Sequence, residues 1–235
     1  MLLRDRVLFQ MPKDRELLFP AMAVFQHFVN SYESRMLASD GGQGYKYLLS
    51  YDLDIAKEDW ELFQQLDLEL KQPREVLDNV DMVVDFTEER LALFKNSGKH
   101  VCQACGVMAG VGTITPMPKI RQVQPKRDIL VFKYVGVNSD LALDGITAKE
   151  LVRLEDGKIS GVVGCASWET YLAASMGLPV IELVPDDRPL TWLSKWSNPY
   201  YRVVQGENIV VQISSATMNL VEVLQCTPQA QEAVT

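Results

Sequence analysis

Hydroxyl and carboxylate side chains cluster at the start of one predicted helix in the second half of the chain. Residues 161–183 have the pattern of a strand, a turn of small residues, a helix, Gly-x-Pro and a second strand. In such a unit the helix N-terminus directs free N–H groups to the carboxyl edge of the sheet, where a pyrophosphate can bind. Ser167 and Thr170 would add hydroxyl donors, and Glu169 a carboxylate that accepts hydrogen bonds from ribose. The pattern equally allows a structural role, in which Ser167 caps the helix and Glu169 favours its dipole.

Two of the four cysteines, Cys102 and Cys105, have the C-x-x-C spacing that is typical of zinc or redox pairs. A zinc site needs a second pair or nearby histidines, and the chain has only His27 and His100 and no second C-x-x-C. We therefore predict two buried, reduced thiols and no metal site. No cofactor is expected either.

Charge and composition limit the classes of partner. The net charge is −8 and the isoelectric point is near 4.9, which argues against nucleic acid as the main partner. No apolar run approaches the ~20 residues that a membrane-spanning helix needs. The first ten residues lack the apolar centre and cleavage site of a signal peptide, so we expect a cytoplasmic protein without a transmembrane segment.

Strand and helix patterns alternate along the chain, which predicts an α/β fold with parallel sheets. Residues 110–125 are rich in Gly, Pro and Thr and mark a boundary between a domain of residues 1–120 and a domain of residues 121–235. Predicted helices cover residues 17–32, 88–97, 147–154, 167–176 and 214–224. Predicted strands cover residues 6–9, 36–38, 81–86, 99–107, 128–135, 159–164, 178–184 and 209–213.

Several short segments resemble glycosyltransferase family 9, the heptosyltransferases of lipopolysaccharide synthesis. Residues 172–181 (Leu-Ala-Ala-Ser-Met-Gly-Leu-Pro-Val-Ile) are similar to the helix-to-strand unit of that family, and residues 184–189 to its Gly-Pro-Thr-Asp-Pro turn. Residues 201–204 match its next strand. In the first half, residues 6–9, the pair Lys13-Asp14 and residues 19–21 resemble its opening strand, Gly-Asp turn and Leu-Pro-Ala helix, and residues 83–86 resemble a later strand.

This resemblance implies two small Rossmann-like domains that face each other across a cleft, the glycosyltransferase B-type arrangement. It implies that the chain moves a sugar from a nucleotide-sugar donor to a glycan or other hydroxyl acceptor. The first domain would take the acceptor and the second the donor. Asp14 would be the general base, although it could instead only cap the helix that starts near Arg15. The substrate-binding residues would be Lys13, Ser167, Glu169, Thr170, Asp186 and Asp187.

Two alternatives remain open, because the motif Asp-Thr-Gly-x-x-His of the family falls on residues 166–171, which are Ala-Ser-Trp-Glu-Thr-Tyr. The acid, the glycine and the histidine are missing. This favours a non-catalytic protein that binds a nucleotide or nucleotide sugar. The second alternative is a relative of the nucleotide-sugar epimerases, whose hydrolytic chemistry would need acids in the cleft.

Overall fold

The computed structural model describes residues 4–39, 48–57, 59, 80–112, 121–135, 143–165, 167–184, 186 and 200–226. The chain divides into two compact units, Met1–Arg121 and Gln122–Thr235. Each unit contains its own sheet of parallel strands accompanied by α-helices. This arrangement confirms the predicted α/β fold class. The acceptor and donor roles of the two predicted domains stay predictions.

The first unit is built on a three-stranded parallel sheet in the order β2-β1-β3. The strands are β1 (Arg4–Gln10), β2 (Leu48–Asp54) and β3 (Met82–Asp85). The helices are α1 (Arg15–Ser39), α2 (Glu88–Ala92) and α3 (Val101–Met108). Phe9 of the central strand packs edge-on against Phe25, with ring centroids 4.9 Å apart. This aromatic contact packs α1 against the sheet.

The second unit is built on a four-stranded parallel sheet in the order β4-β5-β6-β7. The strands are β4 (Phe132–Val135), β5 (Gly161–Cys165), β6 (Val180–Leu183) and β7 (Tyr201–Val204). The helices are α4 (Ala148–Val152), α5 (Trp168–Ser175) and α6 (Ile209–Cys226). Leu220 of α6 packs with Val163 and Ile181 on one face of the sheet. The alternate strand positions, such as Gly164, face α5 on the other side.

Three predicted strands are wrong, because residues 36–38, 99–107 and 209–213 lie in or around helices. Residues 36–38 belong to α1, and the chain forms α3 where the second strand of a βαβ unit was expected. Val101, Cys102, Ala104 and Cys105 are all buried, so the helix shows no polar face that would distinguish it from a buried strand. Its start is instead marked by a capping box, in which His100 Nδ1 accepts from Cys102 N at 3.2 Å and Gln103 Oε1 accepts from His100 N at 3.1 Å.

The β-branched run at residues 209–213 predicts a strand but forms the first turns of α6. Ile213, Ala216 and Leu220 line the buried side of that helix, at spacings of three and four residues. Val210 and Val211 are about two-thirds exposed, so the local β propensity yields to packing of the helical face. The predicted start of the last helix at residue 214 is therefore five residues late.

Cys102 and Cys105 are both free thiols with no exposed surface, which confirms the predicted burial. Burial raises the pKa of each thiol well above its usual value, so neither is a ready nucleophile. Cys102 Sγ lies 3.8 Å from the carbonyl oxygen of Pro20, where α3 packs against α1. Among the described residues, no helix combines the length and apolar character that crossing a bilayer requires.

Candidate functional site

Asp14 lies at the carboxyl edge of the first sheet, four residues beyond the end of β1, and it is exposed. Its Oδ1 accepts a hydrogen bond from Glu16 N at 2.9 Å, and its carbonyl oxygen accepts from Leu17 N and Leu18 N at 3.0 and 2.8 Å. Asp14 is therefore the N-cap of α1. The cap uses only Oδ1, and among the residues that the structure describes none hydrogen-bonds Oδ2. Capping therefore leaves the second oxygen of the exposed carboxylate unused.

The backbone before α1 is held by a carboxylate from another segment. Glu88 Oε1 accepts hydrogen bonds from Lys13 N at 2.6 Å and from Asp14 N at 2.9 Å. Partial burial alone would raise the pKa of Glu88, but these two N–H groups, its own N–H and the charge of Lys13 lower it below 4.5. Glu88 is therefore ionised at neutral pH. The local sequence predicts only a helix start at Glu88 and gives no sign of this contact.

Asp85, at the end of β3, binds residues at the start of α2 and so holds the turn between the two elements. Its Oδ1 accepts from Thr87 N at 2.9 Å and from Thr87 Oγ1 at 2.6 Å, while Oδ2 lies 3.4 Å from Arg90 Nε. Burial would raise the pKa of Asp85, but the bonds from Thr87 and the charge of Arg90 lower it. Gln10 pairs with both Asp54 and Asp85, so the ends of all three strands share one edge. Asp14 lies just beyond this edge.

In the second unit, Ser167 is the N-cap of α5, as its position before the helix predicted. Its Oγ accepts from Thr170 N at 3.4 Å, and the two hydroxyl groups lie 3.3 Å apart. Ser167 and Glu169 are both partly exposed at the first turn, at the carboxyl end of β5. Their positions are compatible with an anion at the helix N-terminus.

Thr170 differs from its two neighbours because it is fully buried. Its Oγ1 donates to the carbonyl oxygen of Cys165 at 2.7 Å and so ties the first turn of α5 to the end of β5. A hydroxyl has one proton to donate. Donation to a ligand, as predicted, would therefore require this bond to break.

Gly164 allows α5 to approach the sheet this closely. A Cβ at this position would lie 2.5 Å from Val135 Cγ2 and 2.8 Å from Thr170 Oγ1. Such distances are shorter than real Cβ contacts, so a larger residue would push the helix start away from the strand. Cys165, the next residue, is exposed at the same edge, and its Sγ lies 3.5 Å from Tyr134 Oη. Neither residue was singled out from the sequence.

The remaining predicted residues lie at other positions or outside the described part of the chain. Asp186 is exposed in a turn three residues beyond β6, and Lys13 is exposed beside Asp14. Asp187 lies outside the described residues. No described side chains form a cluster of three or more His, Cys, Asp or Glu residues that could hold a metal ion.

A groove of about 570 Å³ lies beside β4 and α4. Its basic residues are Lys133, Lys149, Arg153 and Lys158. Two of them are already neutralised, since Lys133 Nζ lies 2.9 Å from Asp144 Oδ2 and Lys158 Nζ lies 3.4 Å from Glu155 Oε2. None of the predicted site residues that the structure describes lines the groove.

A buried acid, Glu182, lies on the strand next to the α5 site, paired in register with Gly164. Burial, followed by the charge of Glu182, raises the pKa of Tyr201 well above its usual value. Glu182 and Tyr201 therefore interact inside the second unit. The sequence pattern of this strand does not indicate that the side chain of Glu182 is buried.

The fold of the chain is similar to the folds of two solved glycosyltransferase structures. The chain is similar to the iron-containing dodecameric glycosyltransferase TibC from enterotoxigenic E. coli, with a TM-score of 0.55, 11% identity, and coverage of 86% of this chain and 63% of that chain. It thus spans less than two thirds of that relative. A glycosyltransferase family 9 protein from Veillonella parvula has a TM-score of 0.46 at 10% identity, with 94% and 99% of the chains covered. No family model and no curated protein matches the chain.

Proposed function

We propose that the chain transfers a glycosyl group from a nucleotide-sugar donor to a hydroxyl acceptor, in the manner of glycosyltransferase family 9. The observation that carries this proposal is the exposed Asp14 carboxylate at the carboxyl edge of the first sheet. Its Oδ2 takes no part in the cap, while Oδ1 and the backbone on either side are fixed by hydrogen bonds. The fold shared with a known glycosyltransferase supports the proposal.

In the proposed reaction, Asp14 takes the proton of the acceptor hydroxyl. The acceptor oxygen then bonds to the anomeric carbon of the donor sugar, and the nucleoside diphosphate leaves with the electrons of the broken bond. The donor would lie at the N-terminus of α5, where Ser167 and Glu169 are partly exposed. The helix N-terminus would stabilise the diphosphate without a metal. Lys13, Asp186 and Asp187 would also bind the substrates.

The decisive test is Asp14→Asn, because asparagine keeps the capping oxygen but cannot take a proton at neutral pH. We expect turnover to fall by ~10²- to 10⁴-fold, the usual effect of losing a general base, with donor affinity and melting temperature nearly unchanged. Nucleoside diphosphate release from UDP-glucose, ADP-glucose and GDP-mannose would be measured with and without glycan acceptors. Glu16→Gln, in the same helical turn, is the matched control. Normal turnover in the Asp14→Asn variant would contradict the proposal.

The alternative of a non-catalytic nucleotide-sugar binding protein is favoured by the first turn of α5. Trp168 occupies the place where the related family has glycine, and the buried hydroxyl of Thr170 is already engaged. A bulky residue there limits how closely a phosphate can approach the backbone. The same donor panel distinguishes the two functions. Donor binding without turnover in the wild type would favour the binding protein, and turnover without any acceptor would favour the epimerase-like alternative.

A further inference from the structure

The contact between Glu88 and the segment before α1 joins parts of the chain that are 75 residues apart. It follows from the register of the sheet. Gln10 of β1 pairs with Asp85 of β3, and Lys13 and Glu88 each lie three residues beyond those partners. The two segments therefore leave the same sheet edge side by side. The Glu88 carboxylate then reaches the N–H groups of Lys13 and Asp14 at 2.6 and 2.9 Å.

The start of α2, which carries Glu88, is itself held in place. Asp85 accepts two hydrogen bonds from Thr87 and lies within 3.4 Å of Arg90, so α2 is tied to the end of β3. On the other side, the carbonyl oxygen of Gln10 accepts from Phe86 N at 2.8 Å. The segment that carries Glu88 is thus held by hydrogen bonds on both sides, and the Glu88 carboxylate in turn holds the backbone of Lys13 and Asp14.

We propose that Glu88 is a positioning residue, which holds the Lys13–Asp14 backbone so that Asp14 Oδ2, the oxygen not used in the cap, points at the acceptor hydroxyl. This inference rests on the proposed function. Glu88 acts on the backbone N–H groups of the two residues and touches no reacting atom. Because an error of about 1 Å in the place of a catalytic group can lower a rate by ~10²-fold, a contact of this kind can control turnover without contributing to donor binding.

The test compares Glu88→Ala with Glu88→Gln in the full chain. Alanine removes the acceptor, whereas glutamine keeps an oxygen that can accept from both N–H groups. Glu89→Ala is the matched control, since Glu89 is an exposed acid in the same helical turn. Each variant would be measured for kcat, for affinity to the donor that the wild type uses, for melting temperature and for the amide proton chemical shifts of Lys13 and Asp14.

We expect Glu88→Ala to lower kcat by ~10- to 100-fold with donor affinity within about twofold. Glu88→Gln should recover most of the rate, and Glu89→Ala should match the wild type. The Lys13 and Asp14 amide shifts should move most in Glu88→Ala, less in Glu88→Gln, and stay unchanged in Glu89→Ala. A lower melting temperature with unchanged turnover per folded molecule would overturn the inference, because it would reduce Glu88 to a structural contact.

The amide shifts separate failure of this inference from failure of the proposed function. If the wild type turns over no donor but the shifts move in Glu88→Ala, the glycosyl-transfer proposal fails and the positioning contact is supported. If the shifts stay unchanged in that variant, the positioning contact itself is overturned, whatever the wild type does.

Discussion

Asp14 and Ser167 each occupy an N-cap position, and each is also a candidate site residue. For Asp14 the two roles are compatible, because capping uses only one of its two carboxylate oxygens. Ser167 caps through its single hydroxyl oxygen, so a ligand could meet only the remaining capacity of that hydroxyl. Thr170 is the opposite case. Its hydroxyl is buried and donates to the Cys165 carbonyl at 2.7 Å, which makes it a structural link beneath the candidate site.

Thr170→Val therefore tests a bond rather than a ligand contact. Valine keeps the shape but leaves the Cys165 carbonyl without its hydroxyl partner, so we expect the free energy of unfolding to fall by about 1–2 kcal/mol. Urea denaturation would measure it. Thr217→Val is the matched control, because the Thr217 hydroxyl donates to the Ile213 carbonyl inside α6 at 2.8 Å. Thr217→Val should change the free energy of unfolding by no more than about 0.5 kcal/mol. Equal effects of the two substitutions would argue against a linking role for Thr170.

At the scale of elements, the close contact of α5 with β5 depends on Gly164. We expect Gly164→Ala to lower the free energy of unfolding by about 1–3 kcal/mol, because the new Cβ would lie 2.5 Å from Val135 Cγ2 and 2.7 Å from the Val135 carbonyl oxygen. Gly145→Ala is the control, since its Cβ would meet the Tyr134 carbonyl oxygen at 3.9 Å, an ordinary contact. Chemical denaturation of both variants would measure the difference. A stability loss as large in Gly145→Ala would contradict the steric argument.

The elements that the sequence predicted best are those with a local signal at each end. Helix α5 has Ser167 at its start and Gly177, with φ of +80°, just beyond its end, and α4 begins at Thr147 with a capping box to Glu150. In contrast, the first turns of α6 were predicted as a strand, because their helical state depends on packing that local sequence does not encode. Helix α3 was also predicted as a strand, because its capping box uses His100, which is not one of the residue types that usually cap a helix.

The same distinction applies to the candidate site. Asp14 and Ser167 could be placed because each precedes a helix after a strand. Glu88 could not be linked to Asp14, since the contact depends on the pairing of β1 with β3 across more than seventy intervening residues. Gly164 was also missed, because only the packed helix shows why a side chain cannot fit there.

Across the whole molecule, two carboxylates of the first unit couple folding to pH. The net charge of the chain is −8, and both Asp85 and Glu88 have pKa values lowered in the folded state. The hydrogen bonds that lower them outweigh partial burial, which alone would raise them. The folded state therefore binds these protons less readily than the unfolded chain does.

Acid should consequently destabilise the protein, and Glu88→Gln should reveal the share that Glu88 contributes. Its contribution is present above its ordinary pKa of 4.5 and is lost as pH falls through the lower folded value. At pH 7 the variant should be less stable than the wild type by up to about 1 kcal/mol, since neutral acceptors bond more weakly and the site is partly exposed. The difference should shrink steadily below pH 4.5. Urea denaturation between pH 3 and 7 would measure it, with Glu89→Gln as the control. A difference that is constant or grows towards pH 3 would show that Glu88 gains nothing from ionisation in the folded state, which would contradict the charge-assisted contact with Lys13 and Asp14.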